Sequence, residues 1–253
     1  MNSTWFRRYT TATGYGPRLV CFPHAGGSAT AFKPLAHALP ADFDVLAVQY
    51  PGRQDRFAEE PFTDLERLAD AVAGELAREL ASDPGRPYAL FGHSMGALVA
   101  FETALRLERA GLPGPRRLFA SGRGAPDSRS GERYRYYEDA DVLAELHRLS
   151  GTDRVLLDNP EVLEMVLPAL RADYRAVGRY VWGGGGPLAA PVTALIGDAD
   201  PVVAVAETPA WEAHTTGGFA LEVFPGGHFY LNDQMGRVAA AVTEGLLARA
   251  FAA

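Results

Sequence analysis

The sequence predicts an α/β domain with a mostly parallel central sheet flanked by helices. Three observations lead there. Short apolar, β-branched runs alternate with segments of helical periodicity along most of the chain. Most of the runs are continuously apolar, as strands covered on both faces must be. Finally, 253 residues suffice for one sizeable core.

In chain order, strands are expected at 18–22, 45–49, 88–91, 117–120, 192–196 and 220–224, with a further N-terminal strand at 5–9. Thr63 and Glu66 read as a Thr-x-x-Glu capping box. Beyond it Leu65, Leu68, Val72, Leu76 and Leu80 fall on one helical face. A last helix starting near Asn232 should bury Val238, Val242 and Leu246. From Arg123 to Gly186 the alternation breaks. That stretch contains Arg133-Tyr134-Arg135-Tyr136-Tyr137 and shows no convincing strand pattern. A helix should start at Asn159-Pro160 and carry Leu163, Val166, Leu167, Leu170 and Tyr174, with Pro168 kinking or splitting it. Gly183-Gly184-Gly185-Gly186-Pro187 closes the segment with no expected element. We read 1–253 as one domain and 123–186 as a helical lid inserted in it.

Composition narrows the function classes. A net charge of −7 and the lack of a dense Lys/Arg block argue against a nucleic-acid partner. Cys21 is the only cysteine, so no internal disulfide or multi-cysteine metal site can form. It lies in the run Leu19-Val20-Cys21-Phe22 and reads as a small buried hydrophobe. No leader pattern and no 18-residue apolar stretch is visible, so no membrane partner and a cytoplasmic location are expected. Neither a metal nor a resident cofactor is implied.

The chemistry begins at Gly92-His93-Ser94-Met95-Gly96, a Gly-x-Ser-x-Gly pattern between the strand at 88–91 and an apolar helical run. That setting gives the motif its meaning, because the glycines permit a tight turn that lifts the serine above the sheet. A serine hydroxyl needs a neighbouring base, and the base needs an orienting acid. On α/β-hydrolase folds these follow in the order serine, acid, histidine, each after a strand. His24, His37 and His93 precede Ser94, His147 lies in the lid segment, and His214 lies in a helical region. His228, in Pro225-Gly226-Gly227-His228-Phe229, alone has the right order and place. Asp198 and Asp200 both follow the strand at 192–196. Asp200 fits the Gly-x-x-Asp-x-x-Val layout better, and Asp198 could instead tie the loop through backbone hydrogen bonds. The oxyanion donors expected are the backbone N–H groups of Met95 and of Ala25, in Pro23-His24-Ala25-Gly26-Gly27. His24 is expected to shape that loop, and both His24 and Tyr174 are candidates for lining the substrate and lid region.

Phe22-Pro23-His24-Ala25-Gly26-Gly27, Gln49-Tyr50-Pro51-Gly52-Arg53-Gln54-Asp55-Arg56 and Gly92-His93-Ser94-Met95-Gly96 together resemble the type II thioesterases of polyketide and nonribosomal-peptide assembly lines. Ser150-Gly151-Thr152, Leu167-Pro168-Ala169-Leu170-Arg171-Ala172-Asp173-Tyr174 and Gly226-Gly227-His228-Phe229 extend the resemblance over essentially the whole chain. It implies an α/β-hydrolase fold and a discrete editing enzyme that clears unproductive acyl groups from phosphopantetheine arms. The partners implied are acyl and peptidyl carrier domains, with the phosphopantetheine supplied by the substrate; separately, a monomer is expected. Arg116, Arg117, Arg123, Arg129, Arg133 and Arg135 could form a docking face for acidic carriers. Arg53 and Arg56 are expected to brace their own loop. Competing readings are a product-releasing thioesterase, a carboxylesterase or peptidase on the same fold, and a catalytically silent carrier-binding protein.

Overall fold

A computed structural model describes residues 3–10, 16–128, 134, 138–149 and 160–247. Seven strands form one sheet: β1 (Phe6–Arg8), β2 (Arg18–Phe22), β3 (Asp44–Val48), β4 (Tyr88–His93), β5 (Leu118–Ser121), β6 (Val192–Gly197) and β7 (Phe219–Phe224). Their spatial order is β1-β3-β2-β4-β5-β6-β7. The edge strand β1 runs antiparallel to β3, pairing Phe6 with Val48, and every other pairing is parallel.

Every residue of β2 to β6 is buried, which accounts for their largely apolar sequences. Alternate side chains serve opposite faces. Val20 and Phe22 of β2 join the core shared with α2 (Leu65–Ala81) and α3 (Met95–Arg109). Leu19 and Cys21 join the core under α1 (Lys33–Ala38) and the C-terminal helix. Cys21 is therefore packing, and burial pushes its thiol pKa well above the ordinary range. β7 departs from the pattern because it pairs on one side only, and most of its side chains are partly open.

Two boundaries shift from expectation. The cap of α2 is Asp64, whose carboxylate accepts the Arg67 N–H at 2.9 Å; Thr63 stands one residue outside. The C-terminal helix is divided: a single turn at Tyr230–Asp233 precedes α6 (Met235–Leu247), which buries Val238 and Val242 and packs Leu246 at the margin.

Between β5 and β6, the described residues contain α4 (Asp139–Leu149) and α5 (Pro160–Arg179) and no strand. Pro168 does not split α5. The carbonyl it leaves without a helical donor is that of Glu164, and both residues are exposed, so water can satisfy it. The glycines 183–186 belong to no element. Arg133, Arg135, Tyr136 and Tyr137, the Ser150-Gly151-Thr152 stretch and the helix start at Asn159 lie outside the described residues.

Candidate active site

The site forms where the parallel strands end, at the carboxyl edge of the sheet, where loops from different strands converge. Ser94 follows β4 and caps the N-terminus of α3. Its backbone is held at φ +55°, ψ −118°, a sparsely populated conformation for a side chain with a Cβ. The turn is pinned because the Ser94 N–H donates to the Ser121 carbonyl at 2.8 Å. Both motif glycines are forced by contact. A Cβ on Gly92 would sit 2.2 Å from the Gly96 carbonyl oxygen, and one on Gly96 would sit 2.0 Å from that of Phe22. The serine is thereby raised at the positive end of a 15-residue helix.

His228 lies on the loop after β7 and is almost wholly buried. Its Nδ1 is 2.9 Å from Asp200 Oδ2, and the other carboxylate oxygen, Oδ1, accepts the Val202 N–H at 2.7 Å and the Val203 N–H at 3.4 Å. A carboxylate with two backbone donors behind it holds the imidazole Nδ1–H and leaves Nε2 free to accept a proton. Asp198 has the other role considered for it: its Oδ1 accepts the Gly226 N–H at 2.9 Å and ties the β6 and β7 loops together. Asp198 makes no contact with His228 among the described hydrogen bonds.

His24, Ala25, Ser94, Met95, Tyr174 and His228 all line one cavity of about 110 Å³, with Asp200 standing behind the histidine. Helices α4 and α5 supply its apolar wall through Leu146, Leu149, Val166 and Leu170. Tyr174 packs edge-on against Tyr134, whose hydroxyl donates to Glu145 on α4 at 3.0 Å. Among the described residues, the N–H groups of Ala25 and Met95 donate to no protein acceptor. They remain available at the chamber wall for an oxyanion.

Three histidine rings pack together here, of which His24 and His228 line the chamber and His93 is buried against both. His93 lies 5.0 Å from His228 and 5.9 Å from His24, centroid to centroid. Burial, and secondarily the charge His228 can carry, push His24 down to about 4 and His93 well below the ordinary histidine range. Both are therefore neutral at pH 7, and an imidazolium at His228 meets no like charge from these two rings. His93 is further fixed by Ser121 Oγ at 2.9 Å, which in turn bonds the Tyr230 hydroxyl at 2.7 Å. The remaining histidines lie elsewhere: His37 and His147 are exposed, and His214 pairs with Asp127 at 2.9 Å.

The loop after β3 braces the site from the side. Arg56 stacks on Trp5 with 4.1 Å between guanidinium carbon and ring centroid, and donates to the Gln49 carbonyl at 2.8 Å. Arg53 makes a buried bidentate pair with Asp173 of α5, at 2.7 and 3.0 Å. Sequence reasoning gave Asp173 no role of its own. The available signal was an acid on the apolar stripe of α5, between Leu170 and Tyr174, where only a partnered carboxylate can be buried. Of the six arginines considered as a docking face, three are described. Arg116 and Arg117 precede β5 and Arg123 follows it, so they lie toward opposite ends of the strand, and Arg123 is buried. Arg129, Arg133 and Arg135 lie outside the described residues. No group of three or more His, Cys, Asp or Glu side chains could hold a metal, and no helix is long and apolar enough to cross a membrane, among the described residues.

Comparison with known proteins identifies the family. Residues 17–245 match the thioesterase domain family. The chain is 46% identical over 242 residues to a probable cadicidin biosynthesis thioesterase of Streptomyces griseus, covering 96% of this chain and 66% of that protein. It is 45% identical over 243 residues to thioesterase PikA5 of Streptomyces venezuelae, covering 96% and 85% respectively. Among solved structures, BorB, the type II thioesterase of the borrelidin biosynthetic cluster, superposes with a TM-score of 0.88 at 44% identity. That alignment covers 97% of this chain and 99% of BorB.

Proposed function

The chain belongs to the thioesterase family, as a type II thioesterase of polyketide and nonribosomal-peptide biosynthesis, and from that premise we propose how its residues carry the reaction. It is a thioester hydrolase, and Ser94 is its nucleophile, His228 its base and Asp200 the acid that orients the base. His228 Nε2 takes the Ser94 proton as Oγ attacks the acyl carbonyl. The oxyanion is received by the N–H groups of Ala25 and Met95. Collapse breaks the carbon–sulfur bond, and the thiol leaves with the proton held on His228. Water then repeats the sequence on the acyl-serine ester, releasing the free acid and restoring Ser94.

The substrates in this reading are acyl groups stalled on the phosphopantetheine arms of acyl or peptidyl carrier domains. The arm is long and thin, and a narrow chamber roofed by α4 and α5 suits it. Residues 123–186 act as the lid of a single domain, and the protein works as a monomer in the cytoplasm alongside the synthases. The observation that supports the reading most is the Asp200–His228 contact of 2.9 Å behind a chamber that His228 shares with Ser94.

The test is hydrolysis of a panel of acyl groups loaded on carrier proteins, beside oxygen esters of the same acyl chains. The reading expects the carrier thioesters to be the better substrates and Ser94→Ala to abolish turnover. Equal turnover by Ser94→Ala would overturn the mechanism. Preference for the oxygen esters would turn the substrate assignment toward a carboxylesterase.

A further inference from the structure

The loop after β2 presents three successive amide groups, and each has a different fate. The Gly27 N–H donates to the His24 carbonyl at 2.9 Å. In the trans peptide joining His24 and Ala25, carbonyl and N–H point opposite ways, so this bond turns the Ala25 N–H outward. The Gly26 N–H donates to Asp173 Oδ2 at 2.8 Å, which fixes the next peptide plane. Only the Ala25 N–H is left over, at the wall of the chamber.

Asp173 comes from α5, not from the loop it holds. It is almost wholly buried, and Arg53 grips both its oxygens while also donating to the Gly27 carbonyl at 3.1 Å. Burial opposes the Arg53 charge, but the Asp173 carboxylate more than offsets this and raises the Arg53 pKa. The loop, Arg53 and Asp173 thus close a ring of hydrogen bonds. One turn earlier on α5, Leu170 lies directly on Gly26: a Cβ there would meet Leu170 Cδ2 at 2.3 Å, and Gly26 itself has φ +74°. The same face of α5 carries Tyr174 and Val177 into the chamber wall.

We propose that Asp173, aimed by Arg53, is a positioning residue that sets the Ala25 oxyanion donor, so that the hole is complete only when α5 is seated. The inference rests on the assignment of Ser94 and Ala25 above. It couples substrate enclosure to chemistry, because the helix that roofs the acyl group also holds the donor in place. Lifting α5 by an ångström releases the Gly26 N–H and frees the Ala25–Gly26 peptide plane, leaving the bond from the Gly27 N–H to the His24 carbonyl alone to hold the plane that carries the Ala25 N–H.

The decisive variant is Arg53→Met/Asp173→Leu, which removes the pair as a unit and leaves no unpaired buried charge. With a soluble acyl thioester, kcat falls roughly 10- to 100-fold while KM stays within about twofold. Affinity for a trifluoromethyl ketone, whose carbonyl adds the Ser94 oxygen to give a tetrahedral oxyanion, falls by the same factor. Substrate affinity measured in the Ser94→Ala background does not change. Asp173→Asn keeps an acceptor oxygen for Gly26 and retains more kcat than Asp173→Ala; this pair decides the matter if the double variant does not fold. A folded double variant with parental kcat, equal kcat in the two single variants, or a loss shared by ground-state binding would each overturn the proposal. Turnover by Ser94→Ala alone would instead overturn the nucleophile assignment, so the two failures are distinguishable.

Discussion

Replacing Asp200 with Asn keeps the shape of the carboxylate and removes its charge. In the native site Oδ2 lies 2.9 Å from His228 Nδ1, and both side chains are fully or almost fully buried. At that separation a carboxylate stabilises an imidazolium by about 6 kcal/mol with an effective dielectric constant of about 20, equivalent to roughly 10⁴ in rate. The amide carries a second penalty. If the Asn NH₂ faces Nδ1, the ring keeps its proton on Nε2 and cannot take one from Ser94. Oδ1 retains its donors, the N–H groups of Val202 and Val203, so the loop has reason to stay in place. Asp198→Asn is the internal control, since its oxygen can still accept the Gly226 N–H at the loop tie. The assay is steady-state hydrolysis of an acyl thioester, with a thermal melt to show that both variants fold. Asp200→Asn should lose about 10⁴ in kcat, and Asp198→Asn should stay within about fivefold of the parent. The reasoning fails if folded Asp200→Asn keeps more than a tenth of kcat, or if Asp198→Asn loses more.

Further outcomes follow from individual contacts. Gly26→Ala should lose activity, because its Cβ meets Leu170 at 2.3 Å, and Leu170→Ala added to it should restore part of the loss in the same turnover assay. An unimproved double variant would place the fault in the backbone, at φ +74°, and not in the packing. Stability should fall with acid: the folded pKa of His24 lies near 4, below the unfolded 6.5, so the unfolded chain binds protons first. The unfolding free energy from urea titrations should therefore decline from pH 6.5 toward pH 4, by about 1.4 kcal/mol per unit from His24 alone with His93 adding to it. His24→Phe should flatten that slope, and a flat parent profile would contradict the neutral-histidine account. Asp64→Ala should cost about 1 kcal/mol in chemical denaturation and Thr63→Ala much less, reversing the order that a Thr63 cap implies.

Much of the fold could be read in the sequence because strands buried on both faces leave a signal that side-chain chemistry alone can carry. The sequence places β2, β4 and β6 to within two residues for that reason, and the partly open edge strand β7 to within one. Cap choice was less legible, since Thr63 and Asp64 are both good caps and only the backbone path decides between them. The candidate site was legible where order along the chain constrains chemistry. Ser94, Asp200 and His228 each follow a strand at the same sheet edge, and the structure brings them together. The contact of Asp173 with Gly26 was not legible, because 147 residues separate the partners and no periodicity links them. Nor does sequence show that β5 stands between Arg116 and Arg117 at its start and Arg123 past its end.

The central claim is that acyl groups leave a phosphopantetheine thioester by way of Ser94. A single-turnover quench with a carrier protein bearing a radiolabelled acyl group tests it most directly. The account predicts that label appears transiently on the peptide containing Ser94, that it decays at the rate at which free acid is released, and that Ser94→Ala gives neither. Free acid formed at the parental rate with no label on that peptide would contradict it.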